Sequence, residues 1–165
     1  MDLNSDRQLR IESGLPEEIE SIAQEVIGCA IAVHRSLGPG LLESLYEHAM
    51  DVELAHAHIP FARQVRLPVH HRGVQIGTHV VDMIVAEAIV LELKAVEATH
   101  ELHRAQLISY LHVANLPLGL LLNFNCATLR DGLRRVVNTH WQRLHAAPPS
   151  TTPHHTVPES QRSSQ

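Results

Sequence analysis

The stretch VVDMIVAEAIVLELKA, residues 80–95, decides the fold: an apolar hairpin broken by Asp82 on one strand and by Glu92 and Lys94 on the other. Unpaired charges are costly in an apolar interior, so three of them in one buried pair of strands need a reason. The turn between the strands decides whether they meet. A two-residue loop at Ala86-Glu87 pairs Val85 with Ala88 and sends Asp82 and Glu92 to opposite faces. A three-residue loop, Ala86 to Ala88, pairs Val85 with Ile89 and sets Asp82 opposite Glu92, because one residue of register inverts the face. The second register segregates the side chains more cleanly. It puts Met83, Val85, Ile89, Leu91 and Leu93 on one face, and Asp82, Glu92 and Lys94 on the other with Ile84 and Val90.

Directly opposed Cβ atoms lie about 4.5–5.5 Å apart, so two carboxylates in that register are within reach of one divalent cation. Oxygen ligands suit Mg²⁺ or Mn²⁺, which can stabilise charge on a phosphodiester and acidify a water. Lys94 would orient that water or stabilise the pentavalent phosphorane. The plain alternative is a Lys–Glu pair snorkelling at a strand end.

Working outward, the 165 residues suit one domain, 44% hydrophobic and 19% charged, with aliphatic side chains dominating because aromatics are only 3%. The formal charge is -5, without a block of Lys or Arg. This argues against a pure DNA-binding module. Cys29 and Cys126 read as buried free thiols rather than a disulfide framework. No signal-like or membrane-length apolar run occurs, so a cytoplasmic, membrane-free protein is the expectation.

Residues 1–13 read as a flexible N-terminus and 14–146 as the folded domain. Residues 147–165, rich in Pro, Ser and Thr, read as a disordered tail. Ile19, Ile22, Ala23, Val26, Ala30 and Val33 recur at helical spacing up to "LGPG" at 37–40. A second helix is expected from Leu41 to about His58, with Leu42, Leu45, Ala49, Val52 and Ala55 on its apolar side. Two strands follow, with Gly73 and Gly77 as turn signals, and "AIVLELKAV" makes a third. Thr99 is a plausible N-cap for a helix to about Ala114. "LPLGLLLNFN" reads as a buried strand and "LRRVVN" as a short strand or helical turn. The order predicts an α/β domain with a mixed sheet flanked by helices.

Asp82 followed by Glu92-Leu93-Lys94 on adjacent strands resembles the PD-(D/E)xK nuclease superfamily, although Val81 replaces the leading proline. "GLLESLY" matches G-x-x-E-x-x-Y through Gly40, Glu43 and Tyr46, so the chain is similar to the GxxExxY protein family, grouped with that superfamily. Gln106 and Tyr110 resemble the Q-x-x-x-Y pattern of several of its branches. The likeness spans roughly residues 18–138. It implies a restriction-endonuclease-like core, α-β-β-β-α-β. It also implies metal binding by Asp82, Glu92, the Leu93 carbonyl and Glu43, with catalysis resting on these acids and on Lys94. Gln106, Tyr110 and Tyr46 would line the cleft or support it.

The histidines, including His70, His71, His100, His103 and the His154-His155 pair, form no compact metal motif and are assigned none. The expected activity is a Mg²⁺- or Mn²⁺-dependent nuclease acting on DNA or RNA. The competing expectation is a non-catalytic interaction domain of the same fold, assembled as a homo-oligomer.

Overall fold

A computed structural model describes residues 13–146. The expected loose N-terminus falls outside them except for Ser13, and the expected 147–165 tail with His154-His155 lies wholly outside. Helix α1 (Glu17–Leu37) carries Glu17, Glu18 and Glu20 in its first turn, where acids favour the helix dipole, and ends at Gly38 with φ 66°. Helix α2 (Glu43–His56) follows after a short loop. Strands β1 (Phe61–His71), β2 (Val74–Val85) and β3 (Ile89–Lys94) form an antiparallel run. Helix α3 (Glu101–Ala114) then crosses over to β4 (Leu118–Asn123), which lies parallel to β3. A short turn α4 (Leu129–Gly132), an antiparallel β5 (Leu133–Val137) and helix α5 (Thr139–His145) complete the chain. The sheet order is β1-β2-β3-β4-β5, an α/β architecture with a five-stranded mixed sheet flanked by helices.

Two apolar layers sandwich this sheet. On one face α1 and α2 bury Ala23, Val26, Val33, Met50 and Leu54 against Met83, Leu91, Leu93 and Leu120. On the other, Leu107, Tyr110 and Leu111 of α3 pack on Val81, Val90 and Leu121. Strands β3 and β4 are covered on both sides, which explains why they read as nearly continuous apolar runs.

Three local expectations are corrected. Gly77 is inside β2, and the β1–β2 turn is made by Arg72 and Gly73, both with positive φ (50° and 80°). The N-cap of α3 is His100, whose ring and that of His103 bond each other's backbone N–H groups. The buried side of α2 is Tyr46, Met50 and Leu54, while Leu42, Leu45 and Val52 are exposed. Tyr46 wins that face because its ring stacks on Phe124 at 4.5 Å between centroids and its hydroxyl finds partners in the loop before α2.

Gly119 of β4 sets the distance of α3 from the sheet. A Cβ there would stand 2.8 Å from Leu107 Cγ, with both Leu107 methyls also within 3.0 Å. Gly119→Ala therefore pushes α3 outward, and overpacking of this kind costs about 1–3 kcal/mol. Denaturant unfolding should show that loss, and Leu107→Ala placed in the same chain should recover part of it relative to the sum of the two single changes.

Candidate active site

The β2–β3 turn realises the three-residue register. Val85 lies opposite Ile89, Ile84 opposite Val90 and Met83 opposite Leu91. Ala86 and Glu87 both adopt left-handed φ values, 49° and 53°, and Ala88 N–H closes the turn on the Val85 carbonyl at 3.1 Å. Backbone pairing stops at Met83–Leu91, one position short of Asp82. The side chain takes over there: Asp82 Oδ2 accepts the Leu93 N–H at 2.8 Å, the place a ladder carbonyl would fill. Asp82 is also where β2 changes layers, because Met83 packs toward α1 and α2 whereas Val81 packs toward α3. Its neighbour across β1, Gln64, has φ 47°, and Phe61 and Val65 likewise fall into different layers. The acid therefore sits at a twist in the sheet.

Glu92 alternates onto the α3 face and is only 4% exposed. Lys94 Nζ donates to Glu92 Oε1 and to the Leu93 carbonyl, each at 2.8 Å, and stands 3.7 Å from Glu43 Oε1. One ammonium thus links three of the four expected metal donors, Glu92, Leu93 and Glu43, while the fourth, Asp82, is tied to the same strand. Glu92 Oε2 is buried and accepts no hydrogen bond. Among the described residues, no three His, Cys, Asp or Glu side chains converge closely enough to enclose an ion. The acids are gathered around Lys94 instead.

The electrostatics follow from this crowding. Burial pushes the Glu92 carboxyl up to about 7, the Asp82 charge adds to it and Lys94 opposes it. Burial also raises Asp82, against the pull of the Leu93 N–H and Lys94. Burial works against the Lys94 charge, yet Glu92, Asp82 and Glu43 together hold its pKa above the ordinary lysine value. Lys94 is therefore an ammonium at neutral pH, a stabiliser of negative charge and not a base.

Glu43 begins α2, and its position is set from below. Tyr46 is fully buried, donates to the Gly38 carbonyl at 2.6 Å and receives the Leu41 N–H at 3.2 Å. It pins the loop through Gly40, whose φ of 99° suits glycine, and so fixes the start of α2. Tyr46 acts on the site through that loop and does not line a cleft. Gln106 Nε2 donates to the Tyr110 hydroxyl across one turn of α3. Burial and the nearby Glu92 charge raise the Tyr110 pKa, so its hydroxyl keeps its proton.

Sequence reasoning missed three contributors. Glu47, one turn beyond Glu43, faces Asp82 electrostatically and accepts from Arg63 and Gln64; its i, i+4 spacing from Glu43 was the available signal. Asn123, opposite Lys94 in the parallel register, accepts the Val96 N–H and donates to the Val96 carbonyl, fixing the chain as it leaves β3. His79 stacks edge-on against Tyr110 at 5.0 Å between centroids. Nothing in the sequence announced the last two, since both depend on contacts between separate elements.

A central strand bearing Glu92 and Lys94, an acid on the neighbouring strand and a helical acid above them define a D…ExK site on a mixed sheet. A family model of the PD-(D/E)XK nuclease superfamily matches residues 20–136, and the chain belongs to that superfamily. No curated protein and no solved structure matches the chain. Among the described residues, no helix is long and apolar enough to cross a membrane.

The raised Glu92 pKa gives a testable sign. The unfolded chain ionises this carboxyl near its usual 4.5 and the native chain only near 7. The native state then binds more protons between those values, and the group's contribution to stability falls as pH rises through that window. Glu92→Gln removes the penalty. In EDTA at pH 8 it should stabilise the protein by on the order of 2 kcal/mol, a rise of at least about 4 °C in thermal midpoint. At pH 5 the gain should shrink to less than half, and an equal gain at both pH values would refute the buried-acid assignment.

Proposed function

We propose that residues 14–146 form a divalent-metal-dependent nuclease domain that hydrolyses phosphodiester bonds. The observation that carries this reading is the buried, unpartnered Glu92 Oε2 beside a fully charged Lys94 and the anchored Asp82. A buried carboxylate oxygen without a donor is costly, and a site with a use for it explains why it is retained. The donor set also fits a hard cation: Asp82, Glu92, Glu43 and the Leu93 carbonyl offer oxygen alone. These four would hold Mg²⁺ or Mn²⁺, which when bound supplies positive charge at the phosphodiester and lowers the pKa of water.

The chain's own groups do the rest. The Lys94 ammonium, released from part of its bonding to Glu92 and Leu93, faces the phosphoryl oxygens as negative charge grows on them. Asp82, held by the Leu93 N–H, keeps one oxygen committed to the fold, which fixes the direction of the other. The protonated Tyr110 hydroxyl, already accepting from Gln106, is a donor for a substrate oxygen or for Glu92. We further assign the chain to the GxxExxY proteins within the superfamily, a reading that Gly40, Glu43 and Tyr46 support.

A second reading, a non-catalytic oligomeric domain, draws on two observations. The acids gather around Lys94 rather than around an ion-sized centre, and Leu42, Leu45 and Val52 leave α2 with an exposed apolar side. Calorimetric titration with Mn²⁺ separates the two readings: wild type should release or take up heat, and Asp82→Asn should not. Purified protein should cut single- or double-stranded DNA or RNA in Mg²⁺ or Mn²⁺ and not in EDTA. Lys94→Ala and Asp82→Asn should each lower the rate about 100-fold or more, the usual scale for losing one preorganised charge. Undiminished cutting by Lys94→Ala, or none by wild type, would remove the nuclease assignment.

A further inference from the structure

Strands β1 and β2 continue past the core as a two-stranded arm. From Val65 and Val81 they remain paired to His71 and Val74 with an irregularity between Val69 and His70; Leu67 and His79 still pack on the α3 side, and every residue from 70 to 78 is exposed. The charge along this segment differs from that of the rest of the chain. Residues 54–81 contain three arginines, five histidines and no Asp or Glu, in a chain whose formal charge is -5. Arg63 is taken up by Glu47 and Asp51 at the base. Arg66 and Arg72 have no ion pair among the described residues, and both are exposed.

We propose that this arm, Arg66 to Val80, is a β-ribbon that seats in the major groove of duplex DNA and delivers the backbone to Asp82. The inference rests on the nuclease reading for what happens at Asp82, but the binding surface is argued independently. Shape selects the groove. Paired strands are about 4.8 Å apart, and the roughly 12 Å major groove of B-form DNA admits a two-stranded ribbon, whereas the A-form groove of RNA is too deep and narrow. Chemistry agrees: the face turned from α3 carries Val80 and Thr78 of β2 with Arg66 opposite Val80, and beyond an irregularity between Val69 and His70, where Ile76 is the extra residue of β2, Val74 pairs with His71 at the tip. Val74 and Ile76 are 65% and 67% exposed, apolar surface suited to thymine methyl groups, and the arginines suit phosphates and guanine edges.

Connectivity supplies the coupling. Strand β2 runs without interruption from the tip into Asp82. At about 3.3 Å per residue the tip lies roughly 30 Å from Asp82, or about nine base pairs along a duplex. A substrate bound by the arm therefore spans nearly a helical turn between its grip and the site.

The experiment is anisotropy titration, in EDTA, of a duplex DNA of about 25 base pairs, long enough to cover arm and site. Wild type is compared with Arg66→Gln/Arg72→Asn; asparagine tolerates the left-handed backbone at position 72. An unchanged thermal midpoint confirms that the exposed changes leave the fold intact. The double variant should bind at least about tenfold more weakly, with a log K against log salt slope shallower by about two. Equal affinity and slope would overturn the proposal. So would an equal loss on single-stranded DNA, which has no groove. Light scattering gives the remaining contrary outcome: self-association abolished by the double variant while DNA affinity persists makes the arm a contact between copies of this chain. Arm-dependent binding without metal-dependent cutting by wild type supports the arm and removes the nuclease reading. Cutting by wild type with arm-independent affinity does the reverse.

Discussion

The bond between Lys94 and Glu92, with Asp82 fastened to the intervening Leu93 amide, governs how this protein is put together. Three ionisable groups within a few residues of the central strand can be tolerated only if each is neutralised or solvated. One ammonium reaching Glu92, the Leu93 carbonyl and the neighbourhood of Glu43 meets part of that requirement. The remainder, an acid near neutrality in its pKa and an oxygen without a donor, is the chemical potential of the site. The rest of the fold holds this arrangement in place. The β2–β3 turn sets the register, Tyr46 sets the helical acid, and Gly119 lets α3 bring Tyr110 close.

The acids arrive from different layers. Glu92 and Tyr110 belong to the α3 side of the sheet and Glu43 and Glu47 to the helix pair on the other, while Asp82 sits where β2 turns from one layer to the other. That turn is what permits both sides to address one point. A flat, regular sheet would have kept them on opposite faces, because successive side chains of a strand alternate between its two sides.

Much of this was legible from the residues. The register followed from the grouping of Met83, Val85, Ile89, Leu91 and Leu93, because a wrong pairing would have buried charge on both faces. The element order followed from the change of period after Pro60 and again after Thr99. What remained hidden depended on contacts between elements. Leu42, Leu45 and Val52 fit a helical stripe, yet the buried face belongs to Tyr46, whose partners Phe124 and Gly38 are distant or local in ways a periodicity does not encode. Gly77 resembled a turn residue, yet it lies inside β2 beside the irregularity between Val69 and His70, and the turn glycine is Gly73 with its positive φ. The end of the β2–β3 ladder one step before Asp82, and the replacement of a backbone acceptor by a carboxylate, likewise depend on sheet twist. Pattern reasoning treats strands as flat.

The covered strands β3 and β4 have one further consequence, for the chain while it is being made. IVLELK and LGLLLN are among the stickiest segments in the sequence, and β3 remains an unprotected edge until the crossover through α3 delivers its parallel partner. Short apolar strands of this kind seed intermolecular stacking unless a charge interrupts them. Glu92 and Lys94 are the interruption. Two charged residues within an apolar strand are the usual gatekeeper pattern, so neutralising both at once is expected to trade a quieter interior for a nascent chain prone to self-association.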